Sequence, residues 1–333
     1  MKYPDIFLPS GYVNMAGIIE LKYPFTFVTG ARRTGKTYGG LMYNLQHGIR
    51  FIYLRRTQKE INACKSADLS PFTDIDKNIQ TKSLAQDVIG FYNQNDELIA
   101  PGLALTTLHN VRGISGAAYS QIFYDEFIPE KIARPIKGEF EAWGNTYETL
   151  NSNRELIGQE PMQFINVANS NAAANPIFMG LGLVTVLEKI KRDSRIFWTD
   201  EAHGILIVNV EGSPISQKKK KTALGKLMEG TDFARMAYEN EYAFDDFTNI
   251  ESRSLKEYKP LVTVGEITIY RHKSRREFYV TPHASGSPKI YGSNEREIEA
   301  FARDYYKLRD AYLDGVVWFE NFLAKVLFIK YTN

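Results

Sequence analysis

Along the first two thirds of the chain, short apolar runs alternate with segments of helical spacing, and Gly, Pro and Asn punctuate the joins. Residues up to about Leu21 carry two prolines and no clean period, which predicts an entry arm lying over the domain surface. The run from Phe25 predicts a first strand. Residues 38–48 then place Leu41 and Leu45 on one helical face and stop at Gly48, and residues 50–56 predict a buried strand ending in two arginines. Strand, helix and strand at this spacing form a βαβ unit, which binds ligands beyond the carboxyl ends of its strands. Arg55 and Arg56 are thereby expected near such a ligand, or as charged residues that simply close a strand.

Residues 57–108 are less patterned, with helical pieces, a hairpin around 89–99 turning at 93–96, and a Pro-Gly break at Pro101 and Gly102. After a loop at 108–120, the apolar run 121–125 ends in Asp125-Glu126. A helix is predicted over 139–151 and a strand over 163–169 that ends in an amide, Asn169. An apolar helical stretch at 178–187 continues as basic residues to Arg192, and a further strand covers 204–210. Four consecutive lysines, Lys218 to Lys221, then read as a solvated loop or as contacts to a phosphate backbone. Residues 224–247 predict a helical connector. Beyond it, 262–282 predict a hairpin with a basic tip at 271–276, and 295–314 and 316–330 are predicted helical.

The first strand and helix enclose Gly30-x-x-x-x-Gly35-Lys36-Thr37, the pattern of a P-loop. Glycines at the turn let consecutive N–H groups converge on a phosphate, and the following helix adds its positive end. Gly30, Arg33, Thr34, Gly35, Lys36, Thr37 and Tyr38 are the candidate ATP-binding set, with Lys36 reaching β/γ oxygens and the Thr37 hydroxyl ligating Mg²⁺. A P-loop enzyme also needs acids on a nearby strand. Asp125 is the second candidate Mg²⁺ residue, and Glu126 is the residue expected to polarise an attacking water. Asn169, at the next strand tip, can sense a γ-phosphate or serve as a turn asparagine.

Length and charge narrow the picture less. At 333 residues the chain has room for two domains, and 41 basic against 39 acidic residues leave any attraction to nucleic acid to local patches. A lone cysteine, Cys64, can form no internal disulfide, which suits a reducing interior. The longest apolar stretches, 176–187 and 316–329, are too short or too interrupted by charge to span a bilayer, so a soluble protein is expected. The five histidines show no metal-ligand spacing.

Six motifs in register resemble the DNA-packaging ATPases of small tailed phages with protein-primed genomes, the Picovirinae type. They are Gly30-Ala-Arg-x-x-Gly-Lys36, the strand Phe51 to Arg56, Asp125-Glu-Phe-Ile-x-Glu-Lys131, Asn153-Arg-Glu155, Asn169 with Asn175-Pro176, and Asp232 in the connector. The resemblance implies an α/β fold: an ASCE P-loop ATPase domain with a mostly parallel sheet (1–212), a small helical linker (213–248) and a C-terminal α+β domain like a vestigial RNase H-like nuclease (249–333). It further implies a homo-oligomeric ring of five subunits at the portal vertex of an empty procapsid, in the host cytoplasm, driving double-stranded DNA inward with ATP and Mg²⁺. A scaffold RNA is an optional further partner. By the same resemblance Arg154 is the arginine that enters a neighbour's nucleotide site, and Arg112 and Lys131 are pore residues that face DNA. Arg55 or Arg56 is expected to pair with Glu126 when DNA is absent and to hold it from water. Two rival functions fit parts of the pattern: a helicase or recombinase-like ATPase on single strands, and a non-catalytic capsid or DNA-binding subunit ordered by nucleotide.

Overall fold

In the computed structural model, the described residues are 3–108, 116–129, 136–169, 172–231, 234, 248–282 and 286–332. The chain divides into two compact units, residues 1–180 with 190–244 and residues 181–189 with 245–333.

The first unit opens with a short helix, α1 (Met15–Ile19), inside the segment expected to be an irregular arm. Asn14 caps it by accepting from Gly17 N, and Met15, Ile18 and Ile19 are buried, so local capping and core contact give it structure. Next come β1 (Phe25–Gly30), α2 (Lys36–Gln46), β2 (Phe51–Arg55) and α3 (Gln58–Ala63), in the predicted order. The hairpin lies as expected between β4 (Val88–Tyr92) and β5 (Leu98–Ala104), and β3 (Gln80–Ala85) extends it. Pro101 and Gly102 do not break the chain but lie within β5. The ladder with β2 begins only at Gly102, so the missing proline N–H falls where β5 has one neighbour instead of two.

There follow β6 (Gln121–Asp125), α4 (Glu139–Asn151), β7 (Gln163–Ala168), α5 (Pro176–Gly180), α6 (Val184–Arg192), whose residues up to 189 belong to the second unit, then β8 (Phe197–Asp200), β9 (Ile205–Val210), α7 (Pro214–Lys220) and α8 (Ala223–Leu227). The single helical stretch expected from Phe178 is two helices, parted where Gly182 takes φ +69. The lysine run is not a loop: three of its four residues lie on α7, with Pro214 in its first turn. Asp232 lies outside the described residues.

The sheet order is β3-β4-β5-β2-β6-β7-β1-β9-β8. From β5 to β9 every pairing is parallel, with antiparallel strands only at the two edges. These inner strands are buried on both faces and largely apolar, as parallel strands covered on both sides are. Strand β1, which leads into the glycine loop, and strand β6, which ends in Asp125, are separated by one strand, β7. Ala168 is level with Thr29, and Val167 with Asp125, so the three strand tips carrying Gly30, Asp125 and Asn169 end together.

The second unit contains a five-stranded sheet. β10 (Tyr258–Val264), β11 (Ile267–His272) and β12 (Phe278–Thr281) form an antiparallel meander; its second hairpin is the predicted one with the basic tip. β13 (Ile290–Tyr291) adds parallel to β10, followed by α9 (Glu295–Asp304), α10 (Lys307–Leu313), β14 (Val317–Phe319) and α11 (Phe322–Thr332). Residues 316–330 are thus not one helix: β14 pairs in parallel with β12 before α11 begins. Phe322, Leu327, Phe328 and Tyr331 of α11 are buried, and the Lys325 amine donates to Thr248 O at 2.9 Å. Among the described residues no helix is long and apolar enough to cross a membrane.

Candidate functional site

The loop between β1 and α2 turns because Gly35 takes φ +92, a conformation that costs glycine little. At its start Gly30 passes β9 so closely that a Cβ there would lie 2.6 Å from Val210 Cβ. Lys36, at the first turn of α2, is buried. Its amine donates to Gly30 O (2.9 Å), Ala31 O (2.8 Å) and Thr34 Oγ1 (3.3 Å). Burial lowers its pKa from 10.5 to about 7, against the opposing pull of Asp125. Arg33 is exposed on the same loop at φ +57, and Thr34 is buried with its hydroxyl on Ala31 O.

Opposite the loop, the Thr37 hydroxyl donates to Asp125 Oδ1 at 2.8 Å. Two residues from β2 complete the shell of Asp125: Tyr53 OH donates to Oδ2 at 2.9 Å and Arg55 Nη1 at 3.0 Å. The other arm of the same guanidinium, Nη2, donates to Glu126 Oε2 at 2.8 Å. Asn169 Nδ2 donates to Glu126 Oε1 at 3.2 Å. Glu126 itself lies at φ +56, in the left-handed region a side chain enters only when its surroundings hold it there. Burial, then the neighbouring Asp125, keeps the Tyr53 phenol well above 10, so it remains a donor. Burial alone would lower Arg55, but the field of Tyr53, Asp125 and Glu126 leaves its pKa raised.

A cleft of about 810 Å³ opens over the loop, within the range of ligand pockets. Its lining includes Arg33 to Gly39, Met42, Tyr43, Tyr12 and Asn169. Tyr38 is half exposed at its rim. The donor set suits a Mg²⁺–triphosphate group, with a hydroxyl and a carboxylate as hard oxygen ligands beside a buried lysine and a glycine cradle.

Sequence reasoning placed Arg55 and Arg56 together, and the structure separates them. Strand alternation sends Tyr53 and Arg55 to the Asp125 side and Arg56 to the other, where it makes a bidentate pair with Glu139 of α4 at 2.6 and 3.0 Å. Arg56 therefore does not pair with Glu126. The same alternation would have found Tyr53, which was missed. Arg154 follows α4 and donates from Nη1 to Tyr119 O (2.8 Å) and from Nε to Glu160 O (3.0 Å). Tyr119 precedes β6, so Arg154 sits at the far end of that strand from Asp125, which the rise from Gln121 to Asp125 puts about 13 Å away or more. It does not join its own chain's site. Arg112 and Lys131 lie outside the described residues. Also missed was Lys219, whose amine reaches the carbonyls of Arg32 and Arg33. Among the described residues no group of three or more His, Cys, Asp or Glu is placed to hold a metal.

Comparison with known proteins bears on the whole chain. DNA packaging proteins of Bacillus phages PZA and phi29 are each 26% identical to it, covering 93% of this chain and 93% of each relative. A chain of the bacteriophage Phi-29 viral genome packaging motor assembly superposes with a TM-score of 0.67 at 22% identity, covering 98% of this chain and 100% of that one. A chain of the Phi-28 gp11 DNA packaging motor gives 0.62 at 18% identity, with 96% and 97% covered. The family described as Podovirus DNA encapsidation protein (Gp16) matches residues 9–277, most of the length, and the chain belongs to that family.

Proposed function

We propose that this chain is the ATP-hydrolysing subunit of a motor that drives double-stranded viral DNA into a preformed procapsid. The observation that carries the reading is the convergence of three strand tips: the loop holding Lys36 and Thr37, the acids Asp125 and Glu126, and Asn169. Family membership supplies the direction in which that ATPase works.

Phosphoryl transfer asks the protein chiefly for position and counter-charge. The loop N–H groups and Lys36 bind and orient the β- and γ-phosphates. Thr37 and Asp125 would hold Mg²⁺, which when bound neutralises charge on the phosphate oxygens. Glu126 orients the attacking water and takes its proton. Asn169, bonded to the same carboxylate, reports its position to the tip of β7. Arg55 bridges Asp125 and Glu126, and while it does so Glu126 is held from water.

Arg154, braced on two carbonyls far from its own cleft, acts on a neighbour's site in a ring of five, which makes hydrolysis conditional on assembly. Arg112 and Lys131 grip duplex phosphates in the pore, where translocation must not depend on sequence. The second unit is the vestigial RNase H-like domain, and the ring sits at the portal vertex in the host cytoplasm.

The test measures Mg-ATP turnover with and without duplex DNA and empty procapsids, then DNase protection of the DNA. Turnover stimulated by duplex and protected DNA are expected. Stimulation by single strands alone would favour the helicase reading, and absence of turnover the structural one.

A further inference from the structure

Five consecutive carbonyls of the phosphate-binding loop, Gly30 to Thr34, each accept a hydrogen bond. Lys36 donates to the first two, and Val13 N donates to Thr34 O at 2.9 Å. The middle pair is taken from far along the chain: Lys219 Nζ donates to Arg32 O at 2.6 Å and Arg33 O at 3.1 Å. In a trans peptide the N–H points opposite to the carbonyl. An ammonium that holds the carbonyls of Arg32 and Arg33 therefore turns the N–H groups of Arg33 and Thr34 the other way. The peptide between them is also the one that needs holding, because Arg33 is a non-glycine residue at φ +57.

The lysine is built into place. It lies on α7, whose Ser213 cap position and Ser216 are buried. The N-terminal arm crosses α7 so tightly that a Cβ at Gly11 would lie 3.1 Å from Pro214 Cβ and 3.5 Å from Ile215 Cγ1. Within the lysine run, Lys218 and Lys221 are exposed, while Lys219 is half-buried against the loop.

We propose that Lys219 is a positioning residue for nucleotide binding: it clamps the Arg32 and Arg33 carbonyls so that the Arg33 and Thr34 N–H groups face the bound phosphates. The role rests on the reading of the cleft as an ATP site, but not on the motor's cargo. Burial, with the charge of Arg33 added, brings the amine down to about 8, as expected of an ammonium withdrawn from water. The alternative for a lysine run, contact with DNA, requires Lys219 to face solvent as Lys218 does.

Equilibrium binding of a fluorescent ATP analogue with Mg²⁺, in the absence of DNA, tests the clamp on the full chain. Lys219→Met keeps the aliphatic stem and removes the donor. Its Kd should rise at least tenfold while kcat at saturating ATP stays within threefold. Lys219→Arg, which can still span two carbonyls, should recover most of the affinity, and Lys218→Ala should bind as the wild type does. A folded Lys219→Met with unchanged Kd overturns the proposal, as does a Lys219→Arg as weak as Lys219→Met. A defect seen only in DNA affinity also overturns it. Failure of the wild type to bind ATP would sink the site reading itself, a result distinct from any of these.

Discussion

Replacing Arg55 by alanine tests how the acids are held. The guanidinium bonds Asp125 at 3.0 Å and Glu126 at 2.8 Å, and only the second must break to free the glutamate. A hydrogen bond between charged groups contributes about 1.5–3 kcal/mol. The Glu126 side chain is 41% exposed, so water screens that contact and about 1 kcal/mol is the fitting figure. Converted to population, this is roughly fivefold more unrestrained Glu126. Asp125 keeps Tyr53 and Thr37 as donors, so its own position survives the substitution. Turnover without DNA, read by phosphate release at saturating Mg-ATP, should therefore rise about fivefold, and stimulation by duplex should shrink correspondingly. If Arg55→Ala melts as cooperatively as the wild type and its DNA-free turnover is unchanged or lower, Arg55 does not restrain Glu126.

Three further outcomes follow from other parts of the first unit. Lys36 has a folded pKa of about 7 against 10.5 unfolded, so the unfolded chain binds the extra proton between those values and stability rises with pH across that window. Wild-type stability should thus climb by up to about 5 kcal/mol from pH 7 toward pH 10 in chemical denaturation, and Lys36→Met, which has no amine to titrate, should lose that climb. The Arg56–Glu139 pair is buried, with side chains 3% and 1% exposed. Glu139→Ala should cost about 3–5 kcal/mol by orphaning the guanidinium, whereas Arg56→Met with Glu139→Leu should recover most of the loss in the same denaturation series. Arg154→Ala should bind ATP normally yet lower turnover at least tenfold in the assembled ring, and mixing experiments with wild type should show loss steeper than the mutant fraction.

Much of this architecture was legible because its signals are local. The loop from Gly30 to Thr37 is fixed by two glycines and a lysine at set spacing, and the strands around it are apolar runs ending in the residues that matter. What escaped depends on partners distant in sequence. β8 and β14 are four and three residues long, and they exist because a neighbour offers a free edge. Pro101 reads as a breaker until the ladder shows that β5 has one neighbouring strand at that residue instead of two. Arg55 and Arg56 look equivalent as letters, but alternation on β2 sends one to the acids and the other to α4. Lys219 sits in a run of identical side chains, and only the fold of α7 against the arm distinguishes it from its neighbours.

The central claim is that one site, made by Lys36, Thr37, Asp125 and Glu126, both binds ATP and spends it on DNA movement. Glu126→Gln is the most direct measurement, since it preserves shape and removes the base. It should bind Mg-ATP within threefold of wild type, lower turnover at least a hundredfold, and leave no DNase-protected DNA in procapsids. Turnover within a few fold of wild type, or packaging that continues without it, would contradict the account.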